Sequence, residues 1–211
     1  MVLPVLACAV LVAGCLVAEH RSSQRGLWLA KPLASATFLW AAFAWGALAS
    51  PFGRWLAGGL VACALGDVLL ISKSAPRAMH AGVLAFGIGH ILFTAAFVGY
   101  GLAPAATLVA GAVSLALVGW VWRWLRPHLG REDRRAVLPY LVVIAAMLSC
   151  ALGAAAGGAP RAAAAGAVLF ALSDLAVAQD RFVARSFAST LWGLPAYYAA
   201  QLLLAAGAAA P

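Results

Sequence analysis

The stretch WLAGGLVACALGDVLLI, residues 55–71, decides the fold. Its only charged side chain is Asp67; the rest is Leu, Val, Ile, Ala, Gly, Trp and Cys. A helix needs about 20 such residues to cross a bilayer. A carboxylate inside a span of this kind is costly, which makes Asp67 a functional candidate from the start.

Outward from this run, apolar stretches recur at 2–18, 27–49, 81–100, 103–124, 136–156, 161–179 and 187–209. The breaks between them carry charge and turn residues, such as Ser50-Pro51-Phe52-Gly53-Arg54 and Gly101 to Pro104. Eight helices of about 20 residues would use roughly 160 positions, which leaves no space for a soluble domain in a chain of 211. The expectation is therefore an all-α, polytopic membrane bundle of eight transmembrane helices, with residues 1–211 forming a single integral membrane domain. The composition agrees, at 65% hydrophobic and 9% charged, against roughly 45–50% and about 25% in soluble domains.

The net charge of +8 lies in short clusters between the apolar runs, as membrane topology requires, and nucleic acid is excluded as a partner. Loops after helices one, three, five and seven hold Arg21, Arg25, Lys73, Arg77, Arg126, Arg131, Arg134, Arg135, Arg181 and Arg185, while the alternate loops hold Arg54 and Arg161. By the positive-inside rule the first set is cytoplasmic and both termini face outward. Val12-Ala13-Gly14-Cys15 looks like a lipoprotein cleavage box, but no basic residue precedes the apolar run, so 2–18 reads as a retained span. Cys8, Cys15, Cys63 and Cys150 all lie inside apolar runs and read as small hydrophobes. The Ala-, Gly- and Arg-rich composition, with two Lys, points to a high-GC bacterial source and hence an inner membrane.

An internal echo is visible. Cys63-Ala-Leu-Gly-Asp-Val68 and Phe170-Ala-Leu-Ser-Asp-Leu175 stand 107 residues apart, and the same offset carries Pro32 onto Pro139 and His90 onto Tyr197. That spacing covers four helices, an even number, so the halves would run parallel in a four-plus-four repeat. Chance similarity between Ala- and Leu-rich helices is the alternative.

At about 1.5 Å per residue, Lys31, Asp67, Tyr140 and Asp174 lie roughly 8–10 Å from the cytoplasmic ends of helices two, three, six and seven, and His90 lies at about 15 Å. Four polar groups at one depth suggest one site opening toward the cytoplasm. Lys31 could instead snorkel to the headgroups, and the carboxylates could be structural clamps between helices. Gly58, Ala62 and Gly66 form a small-residue stripe beside Asp67 that lets helices approach closely, placing helix three at the centre. His90 shares its face with Phe86 and Phe93, and no other His lies inside a span, so a zinc site is not expected.

Lys31-Pro32-Leu33, Gly66-Asp67, Phe86 to His90, Tyr140 with Met147, Gly166 with Ser173-Asp174, and Pro195 with Tyr197, Tyr198 and Gln201 occur in this order along the chain. In these motifs, from about residue 28 to residue 202, the chain resembles the lysoplasmalogenase family of YhhN-like membrane proteins. The resemblance implies hydrolysis of the vinyl ether bond of lysoplasmalogens to a fatty aldehyde plus glycerophosphoethanolamine or glycerophosphocholine. Its substrate would be a lysophospholipid with a single vinyl ether chain, taken from the lipid bilayer.

Such an ether opens when its outer alkene carbon is protonated, giving an oxocarbenium ion that water captures. The step calls for one neutral carboxylic acid and one carboxylate, as in two-carboxylate glycosidases. Asp67 and Asp174 are the expected catalytic pair. Lys31 would hold the phosphate, Tyr140, Ser173 and Tyr197 would contribute to substrate binding, and His90 would position water. Phe86, Phe93 and Trp192 would line the tail pocket. Neither metal nor organic cofactor is called for by this chemistry. The competing readings are a small-solute or proton-coupled transporter, whose site should lie nearer the midplane, and a catalytically silent lipid-binding relative.

Overall fold

The computed structural model describes residues 2–72 and 76–209; Lys73 lies outside the described residues. Among the described residues eight long helices follow one another: α1 (Val2–His20), α2 (Gln24–Trp45), α3 (Pro51–Leu69), α4 (Pro76–Tyr100), α5 (Pro104–Leu125), α6 (Arg131–Ala156), α7 (Arg161–Ala178) and α8 (Phe187–Ala208). Among the described residues there is no strand. The chain is an integral membrane protein, with seven helices, α1 to α7, long and apolar enough to span. The eighth, α8, is as long as α2 and carries Pro195, with Tyr197, Tyr198 and Gln201 buried in the bundle interior.

Local chemistry sets the boundaries. Ser23 and Ser50 cap α2 and α3 with their hydroxyls, and Pro51 and Pro104 stand at the starts of α3 and α5, where no backbone N–H is needed. The 27–49 run ends early as a helix, at Trp45, because Gly46 turns left-handed at φ 99° and only a short 3-10 turn, Ala47–Ala49, follows. Gly101, at φ 115°, breaks α4 from α5 in the same way. The basic segment expected as a loop over 126–135 is half helical. Helix α6 starts at Arg131, with Glu132 and Asp133 in its first turn, where the helix dipole favours negative charge. Arg134 reaches back to donate to the Leu129 and Arg126 carbonyls.

Helices pack as hairpins, α1 on α2, α3 on α4, α5 on α6 and α7 on α8, and the halves join through α4 on α6 and α2 on α8. Shifting each label by four helices turns the first junction into the second, but α8 also packs on α1 and α3 without comparable counterparts of α4 on α5 and α7, so the contacts match a four-plus-four arrangement only in part. Pro32 and Pro139 both lie inside their helices, α2 and α6.

The most deeply enclosed span is α3. Its glycines admit α4: a Cβ at Gly59 would strike the Phe93 ring, and one at Gly66 would lie 2.8 Å from the Phe86 ring. From the other side, a Cβ at Gly89 would lie 2.7 Å from Cys63 Sγ. Close approach through small residues takes the place of the hydrophobic effect, which lipid cannot supply between helices.

Candidate functional site

Two inter-helix contacts mark one end of the bundle. Gln24 Nε2 donates to the Ile71 carbonyl at 2.8 Å, and the His20 and Phe187 rings meet at 4.9 Å. Near this end, α3 and α7 bring their carboxylates inward, Asp67 just before α3 ends at Leu69 and Asp174 about one turn before α7 ends at Ala178.

Asp67 is buried, 3% exposed. Its Oδ2 accepts from Ser35 Oγ of α2 at 2.7 Å and from Tyr197 Oη of α8 at 2.7 Å. Tyr198 Oη stands 3.4 Å from both Ser35 Oγ and the Lys31 carbonyl, so it ties the same corner together. Lys31, half-buried on α2, is near enough for its charge to act on Asp67.

Asp174 is more open, its side chain 17% exposed. Its Oδ2 accepts from Tyr140 Oη of α6 at 3.3 Å and faces His90 Nε2 of α4 at 3.5 Å. His90 is wholly buried, with Nδ1 2.7 Å from the Phe86 carbonyl. The two carboxylates thus have parallel surroundings: each takes one partner from α2 or its counterpart α6, and one from α8 or its counterpart α4.

Between these corners stands Phe170, whose ring is 4.4 Å from His90 on one side and 5.4 Å from Tyr197 on the other. The Phe86 ring packs edge-on to both Phe170 and Tyr197. Cys63, one turn before Asp67 on α3, lies within the electrostatic reach of both carboxylates. Apolar walls of this kind strengthen every charge and hydrogen bond they enclose.

Lys31, Asp67, Tyr140, His90, Asp174 and Tyr197 therefore come together at one end of the bundle. Ser173 stands apart, because its hydroxyl donates to the Phe170 carbonyl of its own helix at 2.7 Å. Phe86 and Phe93 lie in the interior, whereas Trp192 is 49% exposed on the outer face of α8 and lines no interior pocket. Ser35 and Phe170 belong to the site and were not anticipated. Ser35 carried a signal, standing one helical turn from Lys31 on the same face of α2. Gln201, one turn past Tyr197, is fully buried, with its side chain beside the Cys63 thiol. Among the described residues no group of three or more His, Cys, Asp or Glu could hold a metal ion.

Chemically, the arrangement offers two carboxyl groups of unequal surroundings, a phenol on each, an imidazole on one and an ammonium beside the other. That inventory suits proton delivery to one part of a substrate and cation stabilisation at another.

Residues 26–208 match the model of the YhhN family. Lysoplasmalogenase TMEM86A of Bos taurus is 35% identical over 156 residues, covering 71% of this chain and 63% of that protein. A lysoplasmalogenase of Mycobacterium tuberculosis (strain CDC 1551 / Oshkosh) is 34% identical over 172 residues, 76% of this chain and 64% of that one. Lysoplasmalogenase TMEM86B of Mus musculus is 33% identical over 165 residues, 77% and 67% respectively. The chain thus spans less than two thirds of the bovine and mycobacterial relatives. No solved structure matches it significantly.

Proposed function

The chain belongs to the YhhN family, and on that premise we propose that it is a membrane-embedded hydrolase that cleaves the vinyl ether bond of lysoplasmalogens. The products would be a fatty aldehyde and glycerophosphoethanolamine or glycerophosphocholine. Relatives named lysoplasmalogenase support the substrate class. The observation that carries the chemistry is the pair of inward carboxylates, Asp67 and Asp174, brought by α3 and α7 to one end of an apolar bundle and each held by a tyrosine hydroxyl.

One carboxyl group, as a neutral acid, gives its proton to the outer alkene carbon. The resulting oxocarbenium ion is stabilised by the other, as a carboxylate, which also takes a proton from the water that attacks. The hemiacetal so formed then breaks down to alcohol and aldehyde. Fixed donors such as Ser35, Tyr197 and Tyr140 hold both carboxyl groups in orientation before substrate arrives, so little reorganisation is needed at the transition state. Lys31 meets the phosphate as a compact cation, and the single tail lies along apolar helix surface. The site opens toward the cytoplasmic side of an inner membrane, with both termini outside, as the distribution of basic residues favours.

The test is to incubate purified protein with a lysoplasmalogen and with its saturated-ether analogue. Aldehyde released from the first alone supports the reading. Aldehyde from neither substrate refutes it.

A further inference from the structure

The last two turns of α5 and the start of α6 build a second polar feature at the end of the bundle that holds the carboxylates, and the hydrolase scheme does not use it. Two cavities, each of about 420 Å³, share Arg123 as a wall. Trp120, Trp124 and Leu175 complete the first, and Trp122, Arg126, Pro127 and Arg134 the second.

Their floor is held in place. Val121, Leu125 and Leu129 form a small buried core of their own, against which Trp122, Trp124 and Leu175 pack. Trp120 and Trp124, one turn apart on α5, stack with ring centroids 6.5 Å apart and planes inclined by 23°. Arg134 is fixed as well. It donates to the Leu129 carbonyl at 3.1 Å and to the Arg126 carbonyl at 3.0 Å, which uses two of its five N–H groups.

Charge separates the two cavities. Three guanidinium groups wall the second, and among the described residues no acidic side chain lines either one. The acids nearest in sequence, Glu132 and Asp133, lie in the first turn of α6, where they meet the helix dipole. Like charges gathered around one hollow repel unless an anion sits among them, and arginine forks suit phosphate oxygens. The first cavity calls for the opposite chemistry. Two tryptophans and a leucine wall it, with Trp120 62% exposed, and tryptophan is favoured where acyl chains meet headgroups. Arg123 stands at the boundary of the two. Phosphate on one side and hydrocarbon on the other is the outline of a phospholipid, whereas inorganic phosphate or an acidic peptide would leave the tryptophan wall uncovered.

We propose that this pair of cavities is a binding site for an anionic diacyl phospholipid of the surrounding leaflet. Its phosphate and headgroup meet Arg123, Arg126 and Arg134, and an acyl chain lies across Trp120, Trp124 and Leu175. A lipid bound there reaches from α5 to α7, one residue from Asp174, and braces α5, which packs chiefly on α6. The site lies outside the carboxylate cluster, so the proposal goes beyond the hydrolase reading and stands independently of it.

Tryptophan fluorescence of the full chain, reconstituted in phosphatidylcholine vesicles, tests it, because bromine atoms on an acyl chain quench the tryptophans they touch. Brominated phosphatidylglycerol and brominated phosphatidylcholine are titrated separately. In wild type, part of the quenching should appear at a mole fraction of the anionic lipid roughly tenfold lower than that of phosphatidylcholine, as a few arginines beside an anionic headgroup allow. Unlabelled phosphatidylglycerol should compete that part away, and a zwitterionic ethanolamine lysophospholipid at the same mole fraction should not. Arg123→Gln/Arg126→Gln should bring the two titrations to within about twofold of each other. Both arginines are exposed, so their replacement leaves the core intact. Trp120→Phe/Trp124→Phe should remove the selective part and leave the quenching of the remaining tryptophans. Coincident titrations in wild type overturn the proposal, as does selectivity that survives either double variant. Equal competition by the lysophospholipid also overturns it, in favour of a station for substrate. Aldehyde release is not read, so failure here leaves the hydrolase reading standing, and failure of that reading leaves this site.

Discussion

Replacing Tyr197 by Phe removes one atom, the hydroxyl oxygen that donates to Asp67 at 2.7 Å. The ring stays, with its edge contacts to Phe86, Phe170 and Tyr198, so no cavity opens. A hydrogen bond to a charged group contributes about 1.5–3 kcal/mol. Because Asp67 keeps its bond from Ser35, the lower part of that range applies, about 2 kcal/mol. The same change in an Asp67→Leu background should be neutral or stabilising, since there the Tyr197 hydroxyl has lost its acceptor and is itself the unsatisfied group. The coupling between the two sites is then about 2 kcal/mol or more. It is read by unfolding all four proteins reversibly in mixed micelles. If Tyr197→Phe costs the same in both backgrounds, to within about 0.5 kcal/mol, the hydrogen bond carries none of the energy assigned to it. If the bond also supports the carboxylate during turnover, 2 kcal/mol would appear as about a 30-fold lower rate of aldehyde release.

Gly66→Ala places a Cβ 2.8 Å from the Phe86 ring and 3.2 Å from the Gly82 carbonyl, and should destabilise the α3/α4 contact by about 1–3 kcal/mol in the same unfolding assay. Lys31→Gln should raise KM for a lysophospholipid substrate roughly tenfold, as expected for loss of about 1.4 kcal/mol of ground-state binding, with kcat little changed. Asp67→Asn and Asp174→Asn should each lower kcat by about 100-fold or more, the usual contribution of a positioned acid or base; steady-state aldehyde release on folded, detergent-purified variants checks both.

The fold was legible because hydropathy in a membrane chain reports burial in lipid directly, and seven of the eight runs are long and apolar enough to span. The exceptions are informative. Helix α8 turns Tyr197, Tyr198 and Gln201 toward the protein rather than lipid, and Arg131 to Arg135 joined a helix because Glu132 and Asp133 suit its first turn. The site was legible in part, since carboxylates inside spans are too costly to be incidental. The offset that superposes Asp67 on Asp174 and His90 on Tyr197 is written in the chain. That the partners cross over, Tyr197 to Asp67 and His90 to Asp174, depends on how α3 and α7 are rotated against α8 and α4. Rotation is set by packing such as Phe93 against Gly59, which no single helix encodes. Ser35 was hidden among small residues on α2, and Ser173 looked like a site group until its hydroxyl turned to its own backbone. Trp192 faces outward for the same reason of helix rotation.

Turnover of a lysoplasmalogen in D2O, with the aldehyde trapped as it forms and read by mass spectrometry, reports on the carboxylate pair at the bond being made. Protonation of the outer alkene carbon by a carboxyl group in exchange with solvent predicts a single deuterium on the carbon next to the aldehyde, with release collapsing in both Asp67→Asn and Asp174→Asn. Aldehyde that carries no deuterium, or full release from folded Asp67→Asn and Asp174→Asn proteins, would contradict it.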